Sequence, residues 1–260
     1  MGAEKAGGFV PLSGKPHAAL PVPEQLRELL GNGLREIVWV NEAGGVTASG
    51  TLGGESVFAK WAPTGSELDL RAESDRLAWA GRYLPVPEVV GWCSDERGDV
   101  LVTRALSGQN AVVERWRADP EPAVRALGSG LRALHDTLPV DQCPYSWSIE
   151  ERIARSRADG IPNRLVLLDA LPPSPSVDRA VVCHGDACAP NTLLGDDGSV
   201  TGFVDLGRLG VADRWADIAI GAWSTEWNYG VGYAPLYYES YGVEPDAERI
   251  AFYRALWDAT

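Results

Sequence analysis

Long apolar runs are missing from this 260-residue chain. No stretch of about 18 apolar residues occurs, which argues against a bilayer-spanning helix. The N-terminal MGAEKAGGFVPLSG has neither the basic nor the apolar region of a secretory signal. Ala6 also stands where the myristoylation pattern needs Ser or Thr, so a cytoplasmic protein is expected. Basic charge is scarce as well. With 23 Lys and Arg against 36 Asp and Glu the formal charge is -13, and no nucleic acid or anionic membrane partner is expected, since either needs a basic face. That balance suits a cationic small molecule, and it also serves solubility alone. Cysteine pairs are absent too: Cys93, Cys143, Cys183 and Cys188 form no CxxC, so neither a zinc site nor a disulfide framework is suggested. What is plentiful is apolar content, 45% of the chain, enough for a sizeable core in one large domain or two lobes.

The chemistry concentrates in residues 181–208, VVCHGDACAPNTLLGDDGSVTGFVDLGR. Asp186 lies in a His-Gly-Asp turn after the apolar run 180–183, and Asn191 follows five residues later, just before Leu193 and Leu194. Asp196-Asp197-Gly198 reads as a hairpin turn, and residues 201–204 as a returning strand that delivers Asp205 to the same end. Two carboxylates and one amide converge. Phosphoryl transfer needs this set: a carboxylate to orient and deprotonate a hydroxyl, and oxygen ligands for magnesium on nucleotide phosphates. A plain hairpin with surface carboxylates is the alternative.

The stretch resembles the catalytic and metal loops of protein kinases, with H-G-D-x-x-x-x-N for H-R-D-x-x-x-x-N and D-L-G for D-F-G. Gly185 and Leu206 make it similar to the antibiotic-kinase branch, the aminoglycoside phosphotransferases. Further matches run along the chain. Asp141-Gln142-Cys143-Pro144 resembles the V-D-x-C-P segment of the 3' and 3'' enzymes, and residues 207–217 resemble their G-R-L-G-x-A-D-R-x-A-D run. The resemblance spans residues 37–258. It implies an α+β, two-lobed kinase-like fold, with a small antiparallel-sheet nucleotide lobe over residues 1–105 and a larger, mostly helical catalytic and substrate lobe over 106–260. It also implies Asp186 as the base, Asn191 and Asp205 as Mg2+ ligands, and ATP or GTP as donor.

In the first lobe, residues 1–22 form an irregular lead-in to a short helix at 23–30, followed by a three-strand meander over residues 36–61. The Gly44-Gly45 turn stands where the kinase-like fold covers the phosphates, although it matches no strict G-x-G-x-x-G and serves equally as a hairpin turn. Lys60 in Val57-Phe58-Ala59-Lys60 resembles the kinase V-A-I-K lysine. Glu73, thirteen residues on in the helical pattern 68–83, is its expected partner. At the lobe junction the family places backbone groups against a purine edge, here the Thr103 carbonyl and the Ala105 amide. Residues 122–138 carry a helical apolar stripe from Val124 to Leu138, His135 near its end reads as structural, and Asp217 is expected to open a helix and bond the catalytic-loop backbone.

The acceptor pocket departs from the pattern. Arg208, Trp223, Glu226, Trp227, Asn228 and Asp258 stand at the implied substrate positions, and two acids of the 3' enzymes are replaced by Trp227 and Asn228. The acidic G-L-V-D-x-D-D insertion becomes residues 160–166, and the acids of the tail survive only as Asp258. A pocket for polycations has lost charge and gained aromatic surface, unless Trp223 and Trp227 pack in the core. The chain therefore reads as an antibiotic kinase of aminoglycoside type, as a monomer or dimer. One alternative is a self-resistance kinase for a nucleoside of the capuramycin kind or another less cationic antibiotic. Another is a kinase-like binding module without turnover.

Overall fold

The structure, a computed structural model, describes residues 21–41 and 43–260. The lead-in expected over residues 1–22 therefore falls, as far as residue 20, outside the described residues. The chain divides into two compact units, Met1–Ser74 with Glu88–Ala105, and Asp75–Pro87 with Leu106–Thr260. The sheet of the first and the helices of the second make the mixed α+β architecture that the sequence implies.

In the first unit, α1 (Glu24–Leu30) precedes β1 (Leu34–Val40), β2 (Val46–Leu52) and β3 (Glu55–Pro63), and β4 (Val89–Asp95) and β5 (Gly98–Arg104) complete an antiparallel sheet of order β1-β2-β3-β5-β4. The strands alternate. Ala48, Val57, Ala59, Val100 and Val102 bury one face against Leu26 and Leu30 of α1, as the period of two in a half-buried strand demands. Small residues at 48 and 59 leave room for the leucines. Polar groups inside are matched: the buried Gln25 amide donates to the Gly98 carbonyl (3.0 Å) and Asp95 (2.9 Å), and accepts from the Trp61 indole (2.5 Å). The second helix, α2 (Leu70–Ala80), runs from the first unit into the second segment of chain.

The second unit is built on α4 (Pro120–Thr137), whose stripe Val124, Leu127, Leu131 and Leu134 is buried. Each such side chain contributes on the order of 1.5–3 kcal/mol. Gly128 of α4 is required by close packing, since a Cβ there would lie 2.6 Å from the Tyr237 carbonyl of α8 (Ala234–Tyr241). Around this pair stand α7 (Trp215–Tyr229) and α9 (Ala247–Ala259), with α7 buried along most of its first two turns. Two short sheets carry the loops of interest. One pairs β7 (Ala180–Cys183) with β10 (Gly210–Asp213), and the other orders β6 (Gln109–Asn110), β8 (Thr192–Leu194) and β9 (Val200–Phe203) as β6-β8-β9. Three more helices, α3 (Glu114–Ala118), α5 (Ile149–Asp159) and α6 (Pro162–Asp169), complete the unit.

Candidate active site

The loop after β7 is held from behind by one carboxylate. Asp217, in the first turn of α7, accepts from the His184 amide at 2.6 Å, from the Gly185 amide at 3.0 Å and from His135 Nε2 at 3.0 Å. His135 Nδ1 in turn meets the Tyr241 hydroxyl at 2.8 Å. Burial opposes ionisation of Asp217, but the hydrogen bond and charge of His135, with the charge and amide of His184, hold its carboxyl below the usual range. It is thus an anion tying down a turn. The turn itself requires glycine: Gly185 has φ +84°, and a Cβ would lie 2.2 Å from the Arg208 carbonyl oxygen.

Asp186 emerges from that turn with its amide donating to His184 Nδ1 at 3.3 Å. Its Oδ1 is buried and lacks a hydrogen-bond partner among the described residues. Orphaned buried carboxylate oxygens are rare and point to a ligand or a proton to be taken. Asn191, at the end of a 3-10 turn, donates from Nδ2 to the Asp186 carbonyl at 3.0 Å, which turns its amide oxygen away from that bond. Its own carbonyl accepts from the Val204 amide at 3.0 Å, so the residue before Asp205 is stapled to Asn191. The hairpin between them closes through Gly198 at φ +81° and the Ser199 amide on Asp197 (2.9 Å). Asp205 is the one non-glycine residue among those described with positive φ, at 62°. Such a conformation costs about 1–3 kcal/mol and concentrates at functional positions. The donor set of a carboxylate and an amide oxygen is that of a hard cation such as Mg2+. Burial pulls the His184 imidazole below its ordinary pKa, against the opposing pull of the neighbouring Asp217 and Asp186.

In the first unit the Lys60 ammonium and Glu73 carboxylate meet at 2.5 Å, the Glu side chain being nearly buried and the Lys a quarter exposed. Lys60 lies between Thr47 of β2 and Leu101 of β5 in the sheet register. Gly44, at φ +83°, closes the β1-β2 turn, where the Ala43 amide donates to the Asn41 side chain (2.7 Å) and the Gly44 amide to the Asn41 carbonyl (3.0 Å). A Cβ on Gly45 would lie 2.3 Å from a terminal methyl of Leu68, which can swing aside, and 3.3 Å from the Trp61 carbonyl oxygen. The Ala105 amide, expected to face a purine edge, instead donates to the Ser56 carbonyl at 2.9 Å. The pairing continues one residue beyond β5. Thr103 is buried within the sheet, opposite Phe58 and Val89.

The residues expected around the acceptor lie on α7, α9 and the turn before β10. Trp227 is 51% exposed, its ring 4.6 Å from that of Trp223, and neither belongs to the buried core. Glu226 faces Arg254 of α9 at 3.7 Å, and Asp258 is exposed. The Asn228 amide is turned onto its own helix, donating to the Ser224 carbonyl (2.8 Å) and hydroxyl (3.1 Å). The Arg208 guanidinium lies over the rings of Trp257 (5.3 Å) and Trp147 (5.7 Å).

Residues 46–253 match the phosphotransferase enzyme family. The chain belongs to that family. It is 40% identical over 226 residues to an aminoglycoside 3'-phosphotransferase of Streptomyces fradiae, a match covering 76% of this chain and 82% of the relative. Among solved structures, aminoglycoside-3'-phosphotransferase of type VIII superposes with a TM-score of 0.77 at 30% identity, covering 91% of this chain and 98% of the other. The aminoglycoside phosphotransferase APH(3'')-Id from Streptomyces rimosus, in complex with ADP and streptomycin, gives a TM-score of 0.66 at 28% identity, covering 90% and 96%.

Within this phosphotransferase the sequence left some of the supporting residues unassigned. Ser224 of α7 accepts from the Ala189 amide at 2.9 Å, fixing the loop between Asp186 and Asn191, while Tyr241 fixes His135. An i, i+4 spacing of Ser224 and Asn228 on one helix face was the available signal.

Proposed function

We propose that this phosphotransferase moves the γ-phosphoryl group of ATP or GTP to a sugar hydroxyl of an antibiotic of aminoglycoside type, with Asp186 receiving the hydroxyl proton. The observation that carries the reading is the buried, unpartnered Asp186 Oδ1 on a loop whose amides are anchored by Asp217. A carboxylate oxygen kept without an internal partner is available to a substrate hydroxyl, and the anchored turn holds its direction. The relatives named above support both the donor, through the ADP complex, and the acceptor class.

Asn191 and Asp205 would hold Mg2+ through oxygen atoms, and the metal would neutralise charge on the transferred phosphate. Lys60, steadied by Glu73, is assigned to the nucleotide phosphates, and the Gly44-Gly45 turn to covering them. Arg208, Trp223, Glu226, Trp227, Asn228 and Asp258 are assigned to the acceptor. Turnover with labelled nucleotide against a panel of sugar antibiotics tests the proposal. Label should appear on a hydroxyl of at least one of them, and its absence from every one would overturn the acceptor assignment.

A further inference from the structure

The catalytic loop lies along one face of α7. Asp217, Gly221, Ser224 and Asn228 are spaced i, i+4, i+7 and i+11, so they fall in one row on the helix. Asp217 holds the amides of His184 and Gly185. At the next turn Gly221 lets the chain come close: a Cβ there would lie 3.2 Å from the Ala187 carbonyl oxygen and would strike the Tyr237 hydroxyl. Ser224, fully buried, accepts from the Ala189 amide at 2.9 Å. Ala189 opens the 3-10 turn that ends at Asn191, so a serine hydroxyl grips the head of the turn that presents Asn191.

A serine side chain has three staggered wells, and something must hold its oxygen toward Ala189. Asn228 supplies that constraint. Its Nδ2 donates to the Ser224 carbonyl at 2.8 Å and to the Ser224 hydroxyl oxygen at 3.1 Å. A carbonyl only accepts, so the bond requires an N–H donor, and a carboxylate at 228 would set oxygen against oxygen. The same two bonds fix which way the amide lies. With Nδ2 committed to Ser224, Oδ1 is the atom left for a donor from outside the helix.

Resting on the phosphotransfer reading and the acceptor assignment above, we propose that Asn228 is a positioning residue with two ends. Its Nδ2 sets the Ser224 hydroxyl that holds Ala189 and the turn to Asn191, and its Oδ1 receives an ammonium or hydroxyl donor of the acceptor. One chain of hydrogen bonds, from Asn228 through Ser224 to Ala189, thereby joins the acceptor side to the catalytic loop. An amide stands at 228 for this reason, although a carboxylate would attract a polyamine more strongly.

Asn228→Asp and Asn228→Ala test this in the full-length protein, since both remove the N–H donors from a half-buried side chain. Two quantities are measured: hydrogen exchange of the Ala189 amide without any ligand, and kcat and KM for kanamycin and streptomycin. Exchange at Ala189 should quicken severalfold in both variants, while the His184 and Gly185 amides, held by Asp217, keep their protection. In both variants kcat should fall by roughly tenfold, short of the ~100-fold that a one-ångström misplacement can cost. Asn228→Gln, which keeps an amide donor, should recover part of both losses. A residue that only touches the acceptor behaves differently: Asp would lower KM for these cations, Ala would raise it, and kcat would hold. Unchanged kcat or unchanged Ala189 exchange in the Asp and Ala variants would overturn the inference. If the unaltered protein phosphorylates no antibiotic of the panel, the acceptor assignment falls, and the exchange result alone decides the tie to the loop.

Discussion

Gly185→Ala separates the geometry of the catalytic turn from its chemistry, since it removes no functional group. Two costs add. At φ +84° an alanine occupies the left-handed region, which costs about 1–2 kcal/mol. Its Cβ would also sit 2.2 Å from the Arg208 carbonyl oxygen and 2.5 Å from the carbonyl carbon, backbone atoms that cannot swing aside as a side chain would. Overpacking of this kind costs about 1–3 kcal/mol. The sum, about 2–5 kcal/mol, corresponds to a fall in Tm of roughly 5–15 °C for a chain of this size. Because the clash pushes on the residue before Asp186, transfer activity at permissive temperature should fall as well, by about 100-fold if Asp186 moves by an ångström. Gly160→Ala supplies the comparison. Gly160 also has positive φ, at 66°, but a Cβ there would meet nothing closer than 4.0 Å, so only the conformational cost of about 1 kcal/mol remains. Thermal unfolding and kcat on both variants decide the matter. If Gly185→Ala is no worse than Gly160→Ala, the close approach does not shape the loop.

Three other outcomes follow from the same structure. Asp205→Ala should weaken nucleotide binding in the presence of Mg2+ while leaving metal-free binding unchanged, a contrast that titration with and without the metal reveals. The pH dependence of stability should carry the buried His184: its pKa in the folded protein is lowered from 6.5, so the unfolded chain takes up its proton first as pH falls. Stability is then full above about 6.5 and declines on acidification, a slope in Tm that His184→Gln should reduce. Asp217, also lowered, adds its loss only below 3.8. Trp227→Ala should cost less than about 1 kcal/mol, because its ring is half exposed and its ring partner among the described residues is the tilted Trp223, whereas a loss of about 3 kcal/mol or more would mark it as core.

The reaction loop was legible because its chemistry is local. Asp186, Asn191 and Asp205 fall within 20 residues, and hairpin signals fix their relation without reference to the rest of the fold. The first three strands of the sheet were legible for a similar reason, since alternation and the glycine pairs 44–45 and 53–54 mark them. The long-range supports were only partly legible. The reach of Asp217 to the loop was expected, but nothing in the sequence ties Tyr241 to His135, or Ser224 to Ala189, because those pairs meet only once α4, α7 and α8 pack. Helices α5 and α6 escaped notice although their ends were marked, α5 by Ser148 accepting from the Glu151 amide and by Gly160 in the left-handed region. The charged body of α5 and the shortness of α6, both with weak apolar periodicity, hid them. The Ala105 amide is engaged by one further residue of sheet pairing, with Ser56, which no local pattern reports. Whether Trp227 lay inside or outside depended on what covers α7, and Arg254 of α9 approaches it only in the folded chain.

The central claim is that Asp186 takes the acceptor proton during phosphoryl transfer, and one substitution tests it with little change in shape. Asp186→Asn removes the charge and keeps the volume. Measured on the best antibiotic of the panel, transfer of labelled phosphate should fall by roughly 100-fold or more, while nucleotide affinity, determined separately by titration, should stay within about twofold. Near-normal transfer by the variant would contradict the account.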